Sequence, residues 1–239
     1  MNTKTKLYIV FLIGFFAIRW WLLNRNYLLD IGSKDIAILN DIASSYSGYN
    51  DIYVHGSAYT LFYLLLVNMF LPNMNNQVLL RMNRISYIRW LYWKMVYAAA
   101  MFTVVFVSVA VLFMTGTIGP QMLFKWGYYY SVLLTLVLTF LYYVLMGTVF
   151  LFMYIVAGTK TKALFAVYFI SVFLVGLPYF TRIYWTPVIS LVVMDDMLES
   201  NIHIGKIMLN IVKLSGLSLF FYLFTAFIFN GKDLLRKNG

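Results

Sequence analysis

Residues 128–157 read YYYSVLLTLVLTFLYYVLMGTVFLFMYIVA, thirty positions without a charged side chain. A helix needs about 20 mainly apolar residues to cross the hydrocarbon core of a bilayer. This stretch spans with length to spare for tilt or projection. Working outward from it, the stretches 7–23, 53–71, 91–115, 163–180 and 207–230 meet the same requirement. The whole 239-residue chain is 63% hydrophobic and 11% charged, with a mean hydropathy of +0.82, whereas soluble domains carry about 25% charged residues. The expected fold is an all-α polytopic membrane protein with six transmembrane helices. Low-complexity tracts, like-charged tails and internal repeats are absent, so residues 1–239 read as a single transmembrane domain.

A net charge of +10 would suggest nucleic acid in a soluble chain; in a membrane chain it reports topology first. With the amino terminus inside, eleven of the eighteen lysines and arginines fall on the inner side. They are Lys4 and Lys6, the four from Arg81 to Lys94, Lys160 and Lys162, and the three beyond residue 231. The bias predicts that both termini face the cytoplasm. Seven of the eight acids lie on the other side. The basic start followed by apolar residues looks like a signal peptide, but no small-residue cleavage site follows, and the stretch reads as a retained first span. The lack of cysteine excludes disulfides, thiolate metal sites and cysteine nucleophiles.

The largest inner feature is RMNRISYIRWLYWK at 81–94, lodged between two apolar runs. After the breakers Pro72, Asn73, Asn75 and Asn76, a helix is predicted from about Gln77 to the start of the third span. Arginines that snorkel and aromatics at headgroup level suit an interfacial helix. Arg81, Arg84, Ile85 and Ile88 share one side of a helical wheel, however, and such a mixed basic and apolar face suits contact with another protein better than a lipid surface.

These residues resemble the permease subunit of ABC-2 type ATP-binding cassette exporters, in particular Gram-positive peptide exporters. The resemblance covers most of the chain as architecture. It rests on six spans, one sizeable cytoplasmic loop between spans two and three, and the placing of Arg81, Arg84, Ser86, Trp90, Trp93 and Lys94. It implies that Arg81, Arg84, Ile85, Ser86, Ile88, Arg89, Trp90 and Lys94 form a coupling helix. That helix would dock on a separate nucleotide-binding ATPase subunit, which would hold ATP and Mg, beside a second permease chain, identical or homologous. The apolar stretch 185–194 resembles the family's external re-entrant or interfacial segment. The chain departs from the family in two places: only six residues precede the first apolar run, where members begin with an interfacial helix, and the 24–52 loop is longer.

Catalytic signatures are missing. AGTKTKAL at 157–164 lacks the phosphate-loop spacing, and no HExxH occurs. A non-catalytic subunit is expected. His55 and His203 both fall on the outer side near acidic residues, either as solvated loop residues or as parts of a metal or pH-sensing site. Arg19 and Lys213 lie within spans, as possible parts of a substrate pathway or as anchors that snorkel to the outer face, the latter expected. Gly147, Gly176 and Gly216 are expected to permit close helix packing. Spans free of acidic groups favour an amphipathic peptide or a lipid as cargo over small ions, with a bacterial plasma membrane as the location. The other reading is a stand-alone binding or immunity protein whose basic loop rests on anionic lipid.

Overall fold

In a bilayer a backbone must satisfy its own hydrogen bonds, and a single run can do so only as a helix. The computed structural model describes residues 3–29, 36–72, 83–181, 185–192 and 204–231, and among these no strand occurs. The helices are α1 (Thr3–Leu29), α2 (Ile36–Ala43), α3 (Ile52–Phe70), α4 (Arg84–Ile118), α5 (Pro120–Lys125), α6 (Tyr128–Ala157), α7 (Lys160–Phe180) and α8 (Ile204–Gly231). All but α2 and α5 are long and apolar enough to cross a membrane, six in number among the described residues. Hydrogen bonds gather one end of the bundle. There Arg84 Nη1 donates to the Asn230 carbonyl at 3.0 Å, Tyr154 Oη to the Pro72 carbonyl at 3.4 Å, and Lys160 Nζ to the Asn68 carbonyl at 3.4 Å. Successive spans therefore alternate in direction.

The stretch 128–157 forms α6 over the residues read from the sequence. Every residue from Tyr142 to Leu151 is buried, as befits a helix that is apolar all round. α4, α7 and α8 pack around it, and α1 packs outside them against α3 and α4. Gly147 allows a close approach: a Cβ there would stand 2.5 Å from Tyr63 Oη and 3.3 Å from Met95 Cβ. Gly176 and Gly216 do not serve in this way. The nearest atoms to Gly176 belong to Phe180 of its own helix, and nothing lies within 4 Å of a Cβ at Gly216.

The third span differs from its expected course. The helix begins at Arg84 and runs unbroken for 35 residues, about 52 Å at 1.5 Å per residue. The Asn83 side chain caps it by accepting from the Ile85 N–H at 3.3 Å. No glycine or proline then occurs before Gly116, so nothing separates a surface helix from a span. The expected start at Gln77 and Arg81 lie outside the described residues.

The 24–52 segment is packed where it is described. Leu39, Ile42 and Tyr49 are buried; the Tyr49 ring stacks on Phe106 with centroids 4.7 Å apart, and its hydroxyl donates to the Phe106 carbonyl at 3.1 Å. Asn50 Nδ2 closes the turn on the Ala43 carbonyl at 2.9 Å. Burial pushes the Tyr49 hydroxyl well above the usual phenol range. The segment thereby closes the end of the bundle opposite Arg84.

Candidate functional site

Near that closed end, α3 opens into a π-helical turn at His55–Tyr59. A π turn spreads the carbonyl ladder and often marks a functional place in a helix. Here side-chain hydroxyls take up the displaced groups. Thr60 Oγ1 donates to the His55 carbonyl at 2.6 Å, and Ser171 Oγ of α7 donates to the Gly56 carbonyl at 2.7 Å. Tyr142 Oη of α6 sits 3.1 Å from both Thr60 Oγ1 and Ser171 Oγ. His55 Nδ1 and Tyr143 Oη share a hydrogen bond of 2.9 Å. The result is a buried polar seam joining α3, α6 and α7.

His55 is thus not a solvated loop residue. It is 1% exposed and lies edge-on to Tyr59 and Phe106. His203 lies outside the described residues, among which no group of three metal-ligating side chains forms. Arg19 faces the neighbouring helix α3. Trp20 beside it is buried on Phe113, and the Arg19 guanidinium lies over the Tyr59 ring, 5.3 Å from its centre. Its Nε is buried without a hydrogen-bond partner. The charge therefore faces α3 at the level of the π turn.

The segment 185–192 wedges in beside this turn, with a 3₁₀ turn at Ile189–Leu191. A Cβ on Gly56 would fall 2.0 Å from a methyl of Val175 and 3.2 Å from one of Val188, so only glycine lets α7 and the wedge approach there. Trp185 Nε1 points to Ser190 Oγ at 3.1 Å and Asn210 Oδ1 at 3.3 Å, fixing the wedge to α8. Lys213 Nζ lies over the Trp185 ring, 4.7 Å from its centre.

Beneath the wedge, α7 and α8 diverge across α6 and leave a cleft of about 370 Å³. Leu145, Met146, Val149, Phe152 and Met153 of α6 form its floor, and Ile170, Leu174 and Leu177 one wall. Leu217 and Phe221 form the other wall, and Trp185, Thr186 and Pro187 cap it. That size is at the lower end of the about 300–1,000 Å³ of small-molecule sites.

At the opposite end, the residues expected to couple to an ATPase open the long helix α4. Ile85, Ser86, Arg89, Trp90 and Trp93 are exposed, whereas Ile88 is buried with Tyr87 and Leu91. Ile88 therefore belongs to the bundle and not to an exposed face with Ile85. Lys94 Nζ lies over the Trp90 ring at 4.4 Å. Arg84 holds the Asn230 carbonyl, Tyr87 stacks on Phe229, and Tyr92 meets Tyr222 with centroids 4.7 Å apart. The basic and aromatic segment is consequently joined to the last turns of α8.

The buried polar seam had a faint signal in the sequence: the Tyr142–Tyr143 pair, His55 and Ser171 are polar groups in apolar spans. Their mutual placement had none, since hydropathy does not show which helix faces which.

The six helices, apolar outward and closely packed inward, are those of a multi-pass membrane protein. Neither a protein-family profile, nor a curated protein, nor a solved structure matches the chain.

Proposed function

We propose that the chain is the non-catalytic permease subunit of an exporter that moves an amphipathic peptide or lipid across or out of a bacterial plasma membrane. Separate ATPase subunits, carrying ATP and Mg, drive it beneath a pair of permease chains. Both termini and the 81–94 segment face the cytoplasm in this reading, following the bias of lysine and arginine.

The observation that carries the reading is the mechanical continuity of the Arg84 end. An exposed stripe of Ile85, Arg89 and Trp93, spaced by four residues, offers a partner apolar, charged and aromatic contacts together. The same helical segment continues without a break into α4 and is tied by Arg84, Tyr87 and Tyr92 to α8. A partner that moved this end would therefore move two spans, including one wall of the cleft.

The test is mild-detergent purification from native membranes, with mass spectrometry of co-purifying chains and an ATPase assay. A stoichiometric phosphate-loop ATPase is expected with the wild type and is expected to be lost from Arg89→Glu while that variant remains folded. Equal recovery with Arg89→Glu would sink the docking role of this face. Absence of any ATPase from folded wild type would favour a stand-alone binding or immunity protein.

A further inference from the structure

We propose that the cleft between α7 and α8 is a binding site for an anionic lipid, with an acyl chain on the α6 floor and the phosphate at Lys213. The apolar part of the argument is the lining. Apart from Thr186 and the Trp185 indole N–H, which is turned to Ser190 and Asn210, it is hydrocarbon, aromatic and thioether. The walls belong to two membrane-spanning helices and the lining is almost wholly apolar, so an acyl chain lying between them meets no polar barrier.

Charge selects the headgroup. Lys213, Leu217 and Phe221 follow one another at intervals of four on the same side of α8, and the last two line the cleft. Lys213 thus stands one turn beyond the apolar wall, at the end capped by Trp185. The carboxylates among the described residues are Asp41 and Asp51, and neither is on an element that lines the cleft. A phosphate at this end meets the Lys213 ammonium as an anionic partner. A second observation lies under the cap: Thr186, 1% exposed, is one of the residues lining the cleft, and its Oγ1 has no hydrogen-bond partner. A buried hydroxyl of this kind is expensive to leave unmade. The ester or phosphate oxygen of a lipid whose chain fills the cleft is an acceptor of the right kind for it.

As a statement about cargo this inference rests on the export reading; as a statement about binding it does not. The test therefore reads binding alone. Purified full-length protein in nanodiscs is titrated with phosphatidylglycerol carrying brominated acyl chains, and with brominated phosphatidylcholine, while tryptophan fluorescence is followed. The signal of Trp185 is the difference between wild type and Trp185→Phe. Quenching of that component at about fivefold lower phosphatidylglycerol than phosphatidylcholine is expected, the ratio given by one lysine near a charged surface. Lys213→Gln should remove the preference and Lys213→Arg keep it. Leu217→Trp, with its Trp185 component taken as the difference from Leu217→Trp/Trp185→Phe, should fill the cleft and abolish quenching of that component by both lipids. Equal quenching by the two lipids in wild type, or an undiminished preference in Lys213→Gln, would overturn the proposal and leave only bulk lipid contact. Displacement of the brominated lipid by an anionic amphipathic peptide at lower concentration than by unlabelled phosphatidylglycerol would overturn it in favour of a peptide site. Loss of lipid binding with ATPase recruitment intact would remove the lipid and leave the export reading standing.

Discussion

The two ends of the bundle use the same kinds of residue to opposite effect. At the His55 end, tyrosines, a histidine and an arginine turn inward: Tyr49, Tyr59, Tyr142 and Tyr143 are buried, and Arg19 lies over Tyr59. At the Arg84 end, Arg89, Trp90 and Trp93 turn outward, and Arg84 donates to a carbonyl at the neighbouring helix end. Polar groups in a low-dielectric interior must find partners, and once they do they fix one arrangement. Polar and aromatic groups displayed at an interface are free to meet something else. The first end is held closed by its own contacts; the second leaves basic and aromatic side chains exposed.

The comparison breaks most severely at the helix that both ends share. Gly147→Leu should cost about 3 kcal/mol or more through overpacking against Tyr63 and Met95, whereas Gly216→Leu, with open space around it, should be neutral. Thermal unfolding monitored by size exclusion in detergent separates the two. At the closed end, Ser171→Ala strips the Gly56 carbonyl of a donor and Tyr143→Phe leaves His55 Nδ1 unpaired. Each should lower stability by about 1–3 kcal/mol.

At the open end, Trp93→Ala and Arg89→Glu should change stability by no more than about 0.5 kcal/mol and should act instead on partner recovery. A large loss of stability in either would erase the contrast between the ends. The smallest effect concerns Tyr49, whose folded-state hydroxyl titrates above its unfolded value. The folded chain keeps a proton that the unfolded chain gives up, so this contribution is complete below about pH 10 and declines as pH rises beyond it. Thermal midpoints from pH 8 to 11 should fall more steeply in wild type than in Tyr49→Phe; parallel curves would show that the phenol is not protected.

Much of the bundle was legible because length and apolarity are local quantities. The bounds of α6 coincide with the uninterrupted run at 128–157, and α3, α7 and α8 lie within a few residues of the expected spans. The course of α4 was less so: a change from basic to apolar composition near Leu91 reads as a boundary, yet composition alone does not break a helix that lacks glycine or proline. His55 shows a different gap. It is flanked by Asp51, Gly56 and Ser57 and reads as loop, but Phe106 and Tyr143, 51 and 88 positions further on, make it core.

By itself, the sequence determined that the chain is helical and membrane-embedded, how many spans it has and roughly where they lie. It did so because the hydrocarbon core has a fixed thickness and leaves the backbone no other way to bond. Only the tertiary structure decided which polar groups are enclosed, that the basic segment is tied to the last span through Arg84, and that α7 and α8 part over α6 to leave a cleft beside Lys213. Those are matters of which helix faces meet, and they depend on side-chain shapes brought together from distant parts of the chain.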